Sequence, residues 1–150
     1  MVLYNEAKGD NLIWIMEKID VKKVVKYWRE TAKHDYETML GLFKIKRYSD
    51  SLFFGHIVLE KILKGLVAAE IKNEAPYIHN LTKLAELSKC DLSEEELDLL
   101  DKVNDFNIRA RYPEYKLQFY KRCDRKYAKN YLDEIIKLYK KLCQKLKQKK

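Results

Sequence analysis

The chain of 150 residues is poor in residues that interrupt regular structure or build disulfide frameworks: it has four glycines, two prolines and three cysteines. Scarce glycine and proline argue against a turn-rich β fold, because such folds need many positions of special backbone geometry. The cysteines are odd in number and none belongs to a Cys-x-x-Cys pair, so neither a disulfide framework nor a zinc site is predicted. Reduced thiols are typical of a cytoplasmic protein, and that is the location we expect.

Several chemical signatures are also missing. The glycines are isolated, so no phosphate-binding glycine-rich loop is present. The histidines His34, His56 and His79 lie on separate predicted elements without the spacing of metal ligands, so we predict no metal and no cofactor. An apolar run at Leu12–Met16 is far shorter than the roughly 18 residues of a membrane span. We therefore expect neither a signal peptide nor contact with a membrane.

The net charge of +8 is concentrated near the C terminus. Residues 121–150 hold twelve Lys or Arg and three Asp or Glu, whereas the rest of the chain holds 19 basic and 20 acidic residues. A basic last helix can meet nucleic acid, an acidic partner or a membrane surface, but lysines also cover ordinary solvated helix faces. The charge alone leaves these alternatives open.

The spacing of apolar residues predicts helices over most of the chain. Apolar positions recur at intervals of three and four over residues 21–47 and 124–150, so each segment is expected to bury one face. Residues 51–71 are apolar over most of the circumference, which is typical of a central helix. The remaining expectations are a short helix after residue 79, a helix over 93–111 and a connecting segment at 115–122.

No strand-like alternation competes with these helices. The chain is therefore predicted to be all-α, an antiparallel up-and-down bundle of four to five helices. Residues 21–150 are expected to form the bundle domain, and residues 1–20 an N-terminal extension that is either a short helix or an arm. Capping residues support three helix starts: a Ser or Asp within residues 48–51, Ser93 with its capping-box partner Glu96, and Asp124.

The predicted central helix carries one polar stripe. His56, Glu60 and Lys64 follow one another at intervals of four, and Lys61 lies beside them, so they share one side of the helix. Such a stripe faces solvent, with an ion pair between Glu60 and Lys64, or it forms a polar seam aimed at a groove or a second subunit. Period alone does not separate these interpretations.

A second polar group lies at a corner of the chain. The helix over 93–111 must end near Tyr112, because a residue before proline is driven to extended geometry. Asn107, Arg109 and Arg111 precede this corner. An arginine fork suits phosphate and a tyrosine can stack on a base, but an arginine near a helix end can equally pair with a carboxylate of the fold such as Asp105. His79, just ahead of a predicted helix, is a cap or packing residue on one view and a ligand contact on the other.

These features together resemble the HEPN-domain family, specifically its small stand-alone prokaryotic members. The resemblance covers roughly residues 24–143. Its matching pieces, in order, are Trp28, Ala32 and Asp35; Phe-Phe-Gly-His at 53–56 running into Glu-Lys-Ile-Leu-Lys-Gly at 60–65; His-Asn-Leu at 79–81 after Pro76 and before Leu84; and Asn-Ile-Arg-Ala-Arg-Tyr-Pro-Glu at 107–114.

The resemblance implies a helical bundle that forms a homodimer, binds a nucleotide or RNA phosphate, and acts beside a minimal nucleotidyltransferase partner in a toxin–antitoxin or defence system. It places the Glu60, Lys61 and Lys64 stretch and the Arg111 corner along a shared groove. Our leading hypothesis is that Arg109 and Arg111 hold phosphate, that Tyr112 stacks or fixes the corner, and that His56, Glu60 and Lys64 line the floor. Asn107 and His79 complete the expected ligand contacts.

One departure bears on catalysis. Ribonuclease members of the family carry an arginine followed after four to six residues by a histidine, but no histidine follows Arg109 or Arg111. Arg29 and His34 have the right separation, yet five helical residues place them about 140° apart. The sequence therefore favours a binding module over a nuclease. A metal-independent ribonuclease toxin and a purely structural interaction scaffold remain the alternatives.

Overall fold

A computed structural model describes residues 2–6, 12–16 and 19–149. The predicted all-α bundle is confirmed, with a short hairpin ahead of it. Within the described residues the elements are β1 (Val2–Glu6), β2 (Leu12–Met16), α1 (Val21–Lys44), α2 (Tyr48–Ile71), α3 (Leu81–Ser88), α4 (Glu94–Arg111), α5 (Pro113–Arg122) and α6 (Arg125–Gln148). No helix in this part of the chain is long and apolar enough to cross a membrane.

The N-terminal residues form strands where they are described. β1 and β2 pair antiparallel, with Val2 opposite Met16 and Glu6 opposite Leu12. The expectation of a short helix is wrong for these ten positions. β2 is apolar without alternation, so its preference for a paired strand comes from its β-branched and aromatic residues and not from a period of two. The other residues of the extension up to residue 18 lie outside the described part of the chain.

Helix α2 is the centre of the bundle, as predicted. It packs against α1, α3, α4, α5 and α6, and its leucines Leu52, Leu59, Leu63 and Leu66 are fully buried. Burying one such side chain contributes roughly 1.5–3 kcal/mol. Some polar residues of this helix are also buried, among them Ser51, His56 and Lys64.

The two amphipathic helices bury the faces expected of them. α6 buries Ala128, Leu132, Ile135, Leu142 and Leu146 and leaves most of its lysines exposed. α1 buries Ala32 and Met39 and lies along α2. The positive charge of the last helix therefore lies on its exposed face, opposite the face that packs in the core.

The start of α2 differs from the expectation. The helix begins at Tyr48, with Arg47 at the N-cap position and no side-chain cap bond described there, so Ser51 is not a cap. Its hydroxyl donates to the carbonyl of Met39 at 2.8 Å. The serine therefore ties α2 to α1 from inside the helix, a long-range role that local capping preference does not reveal.

The other predicted caps are confirmed. Ser93 Oγ accepts from Glu96 N at 3.1 Å and Glu96 Oε1 accepts from Ser93 N at 2.9 Å, which completes the capping box. Asp124 Oδ1 accepts from Tyr127 N at 2.8 Å. The cap of α3 was not predicted: it is Asn80, which accepts from Lys83 N at 3.1 Å, and not His79. Helices α3, α4 and α6 consequently start where local chemistry sets them.

The expected connecting segment is instead helix α5, which raises the helix count above the four to five predicted. Pro113 occupies its first turn, where a missing N–H costs nothing. Phe119 is 1% exposed and stacks on Phe106 of α4 with ring centroids 5.6 Å apart. One buried aromatic therefore anchors a helix whose other residues are mostly polar, so its apolar period is too weak to read from sequence.

Glycines let α2 approach its neighbours. A Cβ at Gly65 would lie 3.3 Å from Trp28 Cβ and 3.3 Å from Leu146 Cδ2, so this position is confined between α1 and α6. A Cβ at Gly41 of α1 would meet no atom within 4 Å among the described residues. Gly41 and Gly65 therefore differ in steric surroundings.

Replacing Gly41 and Gly65 by alanine should change the free energy of unfolding in opposite directions. Gly41→Ala removes backbone freedom from the unfolded chain without a clash and should raise the free energy of unfolding by about 0.5–1 kcal/mol. Gly65→Ala forces α1 or α6 to shift and should lower it by roughly 1–3 kcal/mol. Urea unfolding of the two variants measures both values. A stabilising Gly65→Ala would contradict the close packing of the three helices.

Candidate functional site

The polar stripe of α2 meets the loop before α3 and the end of α4 in one group of side chains. We call His56, Glu60, Lys64, His79 and Arg111 the Glu60 cluster. Glu60 Oε1 accepts from His79 Nδ1 at 3.0 Å and Glu60 Oε2 accepts from Lys64 Nζ at 3.1 Å. His56 Nδ1 lies 3.8 Å from Glu60 Oε1. A single carboxylate is therefore the common neighbour of three basic groups.

Burial excludes one interpretation of the stripe. His56 is 2% exposed and Lys64 is 5% exposed, so a solvent-facing stripe is wrong, although the ion pair expected between Glu60 and Lys64 is present at 3.1 Å. The ammonium of Lys64 also lies 5.3 Å from the ring centroid of Trp28 on α1. A buried ammonium needs such partners, because an unpaired charge in the interior is strongly destabilising. Lys64 thus depends on Glu60 and on the face of Trp28.

His56 is held as a neutral ring. Its Nε2 donates to the carbonyl oxygen of His79 at 3.0 Å, which leaves Nδ1 without a proton. Burial lowers the pKa of His56 to about 4, because the charged ring would lose its hydration. The Glu60 carboxylate acts in the opposite direction, and the positive charge of Arg111 adds to the lowering. His56 is therefore a hydrogen-bond donor that holds the loop before α3 in place.

His79 is the accessible member of the pair of histidines. Its side chain is 59% exposed, and because Nδ1 donates to Glu60, the neutral ring presents an unprotonated Nε2. Asn104 of α4 fixes the same loop by accepting from Leu81 N at 2.9 Å and donating to Asn80 Oδ1 at 3.3 Å. The loop is thereby held to both α2 and α4 beside the cluster.

The two arginines of the corner have different surroundings. Arg109 Nε donates to Asp105 Oδ2 at 2.6 Å, a pair that raises the pKa of Arg109 through the bond itself. Arg111 is exposed and has no hydrogen bond or ion pair with any residue that the structure describes. It lies close enough to His56 to affect the pKa of that ring. The uncommitted cation of the cluster is Arg111.

The remaining predicted site residues are Lys61, Tyr112 and Asn107, and none of them contacts Glu60 through a hydrogen bond or ion pair in the described part of the chain. Lys61 pairs with Asp35 of α1 at 2.5 Å and so ties two helices together. Tyr112 is 53% exposed and adopts extended geometry at the end of α4, as its place before Pro113 predicts. Asn107 lies one turn before Arg111, and its buried Oδ1 has no partner within the described residues.

Two residues that help to hold the Glu60 cluster, Asn104 and Trp28, were not predicted from the sequence. Asn104 was outside the predicted set, although it is a polar residue within the apolar face of α4, and that break in the pattern is the signal that marks it. Trp28 was noted for the family resemblance and not as a neighbour of Lys64. Its indole Nε1 is buried without a partner among the described residues, and no feature of sequence spacing predicts that contact.

The arrangement suits anions. No group of three or more His, Cys, Asp or Glu able to hold a metal ion occurs in the described ranges. The cluster instead offers an exposed guanidinium with a rigid fork of donors and, at its edge, an imidazole oriented by a carboxylate. A guanidinium of this kind matches the geometry of phosphate oxygens.

Comparison with known proteins identifies relatives of the chain. The HEPN domain model matches residues 25–148, which confirms the resemblance read from the sequence. No curated protein matches the chain.

Two solved structures share the fold. TT1696 from Thermus thermophilus is 21% identical with a TM-score of 0.65, over 84% of this chain and 98% of that one. ST0689, described as an archaeal HEPN homologue, is 16% identical with a TM-score of 0.65, over 81% of this chain and 97% of its own. At these identities the likeness concerns the fold of the bundle.

The buried His56 predicts a pH dependence of stability. Its pKa is about 4 in the folded chain against an ordinary 6.5, so the unfolded chain binds the extra proton between these values and stability falls as pH drops through this window. The shift corresponds to roughly 3 kcal/mol. His56→Gln keeps a hydrogen-bond donor but has no side chain that titrates in this window. Its free energy of unfolding should therefore fall by about 3 kcal/mol less than that of the wild type between pH 6.5 and pH 4.

Urea unfolding at a series of pH values measures the difference. His34→Gln is the matched control, since it removes an imidazole that is 80% exposed and lies outside the Glu60 cluster. If the free energy of unfolding has the same slope against pH in wild type, His56→Gln and His34→Gln, then His56 does not take up a proton on unfolding.

Proposed function

The chain belongs to the HEPN-domain family, and we propose that it binds the phosphate of a nucleotide or of RNA at the Glu60 cluster, with Arg111 as the main anion contact. The observation that carries this proposal is the contrast between neighbouring arginines: Asp105 neutralises Arg109, whereas Arg111 is exposed and without a counter-ion among the described residues. A guanidinium held beside a neutral, buried histidine keeps its full charge for a ligand.

The surroundings of Arg111 support a ligand larger than a free anion. Tyr112 follows directly and exposes 53% of its surface, so its ring is available to stack on a base. Arg109 meets Asp105 through Nε, so its terminal nitrogens remain as donors for a second phosphate oxygen. Lys61, engaged by Asp35, serves the frame of the site.

The proposal includes a homodimer built on the α4–α5 corner. Large apolar side chains are exposed there on consecutive turns, and these are Ile108, Tyr112, Tyr115, Leu117 and Tyr120. Contiguous exposed residues of this kind mark interaction surfaces. A symmetric contact at this corner brings the two copies of Arg111 toward one shared groove, which doubles the positive charge offered to a phosphate chain.

The proposal also includes a partner. Family membership supports a minimal nucleotidyltransferase as the protein that this module meets in a toxin–antitoxin or defence system. Such an enzyme handles nucleotides, so both proteins would share a ligand class. The module contributes the phosphate-binding groove and the enzyme contributes the transfer chemistry.

Isothermal titration with ATP, GTP and a short RNA tests the phosphate site. Arg111→Ala should weaken binding about 10- to 100-fold, since a hydrogen bond to a charged group contributes roughly 1.5–3 kcal/mol. Arg47→Ala, at an exposed arginine ahead of α2, is the matched control and should bind as wild type. Sedimentation of all three proteins checks that the dimer is retained. The proposal is wrong if wild type binds none of the ligands or if folded Arg111→Ala binds them equally well.

A second candidate function, metal-independent RNA cleavage, is favoured by the geometry of His79. A carboxylate that orients an imidazole and leaves Nε2 exposed is an arrangement suited to a general base. In this reaction His79 takes the proton of a ribose 2′-hydroxyl, the 2′ oxygen attacks the adjacent phosphorus, and the 5′ oxygen leaves with a proton from water. Arg111 would stabilise the developing charge. The histidine and the arginine come from different elements, so a count along the sequence does not find this pair.

Cleavage of a labelled RNA in the presence of EDTA tests this activity. His79→Gln should reduce the cleavage rate by about 100-fold or more, because general base catalysis typically contributes 10²–10⁴-fold. His34→Gln, at an exposed histidine on α1, should retain the wild-type rate. RNA binding without cleavage would reject the nuclease and leave the binding function standing. A rate unchanged in His79→Gln would assign any cleavage to another group.

A further inference from the structure

A groove lies where the start of α1 and the end of α6 meet the end of α2. Its volume is about 490 Å³, within the range of ligand-binding clefts. Its aliphatic lining comes from all three helices: Val21 and Val25 of α1, Ala69 of α2 and Leu146 of α6. None of its lining residues belongs to the Glu60 cluster. This is a second concave surface with chemistry of its own.

The rim of this groove is strongly basic. Six of its ten lining residues are Lys or Arg, and none of those that the structure describes is acidic. Lys149 is held by Glu70 at 2.7 Å and by the carbonyl of Ser88 at 3.1 Å. Lys22, Arg29 and Lys147 are exposed and form no ion pair among the described residues. Their positive field is left for a binding partner.

The floor identifies the kind of partner. No aromatic ring lines the groove in the described part of the chain, so the groove lacks the stacking platforms on which single-stranded nucleic acids depend. A bilayer is also a poor match, because membrane-binding helices project apolar side chains outward, whereas these aliphatic groups lie below a charged rim. An aliphatic floor within a cationic rim complements a segment that carries aliphatic side chains between carboxylates.

We propose that this groove docks a short acidic amphipathic segment of a partner protein. One aliphatic side chain of the segment lies on Val21, Val25 and Leu146, and its flanking carboxylates meet Lys22, Arg29 and Lys147. The groove thereby gives a specific use to the excess positive charge of α6. This docking is independent of phosphate binding at Arg111, because the two surfaces share no residue.

A defined peptide tests the groove. The probe is a fluorescein-labelled peptide with the sequence of residues 91–102, DLSEEELDLLDK, which carries six acidic residues and four leucines. Fluorescence anisotropy with the full chain should show saturable binding that weakens as salt is added. A scrambled peptide of equal charge should bind more weakly, because its leucines and carboxylates no longer alternate with the helical period.

Charge reversal on matched positions of the same two helices identifies the surface. Lys22→Glu with Lys147→Glu should weaken peptide binding about tenfold or more, because two attractive contacts become repulsive. Lys33→Glu with Lys140→Glu makes the same change on α1 and α6 outside the groove and should alter binding less than about threefold. Val25→Ser should weaken binding without a change in charge. Circular dichroism checks that each variant is folded.

Three results would overturn the docking site. The first is no binding of the acidic peptide by wild type. The second is equal loss in the groove variant and its control, which indicates general charge attraction. The third is tighter binding of a 12-nucleotide RNA or of phosphatidylglycerol vesicles that depends on Lys22 and Lys147. Arg111→Ala should bind the peptide as wild type, so failure of the phosphate site and failure of this groove are distinguishable.

Discussion

The partly buried carboxylate of Glu60 is the constraint on which the Glu60 cluster depends. Lys64, 5% exposed beside Trp28, needs this carboxylate as its counter-ion, and His79 is oriented by the other oxygen of the same group. The loop before α3 is in turn fixed to α2 through the bond from His56 to His79. Loss of the charge at Glu60 therefore leaves an ammonium buried without a counter-ion and frees the imidazole at the cluster edge.

The same arrangement accounts for the state of Arg111. Glu60 already has two close basic partners and lies against His56, so its capacity to neutralise a further cation is small. Asp105 lies four residues before Arg109, a spacing at which helical side chains meet, but six residues before Arg111. It therefore neutralises Arg109 and leaves Arg111 unpaired by this carboxylate. The exposed guanidinium of Arg111 consequently follows from helix geometry as much as from composition.

Local chemistry made part of this structure predictable. The capping box of Ser93 and Glu96 and the extended geometry of Tyr112 depend on near neighbours in the chain, and both were foreseen. Contacts between distant residues were not: Ser51 bonds Met39 across two helices, and the burial of Lys64 requires α1 to lie over it. Helix α5 was missed because its stability comes from one ring, Phe119, and not from a repeated period. The α2 stripe was visible in the sequence, but only packing decided that it is buried.

The two proposed binding surfaces of this small bundle differ in the uncharged groups that accompany their positive charge. At the corner, Arg111 precedes the exposed Tyr112, and a guanidinium fork with an aromatic ring suits phosphate oxygens and planar bases. At the groove, flexible lysines surround Val21, Val25 and Leu146, and an aliphatic floor gains free energy only by covering aliphatic groups. Charge attracts anions to both surfaces, but the uncharged neighbours of each cation decide which anion stays. The proposed phosphate ligand and acidic segment can then bind at the same time without competing.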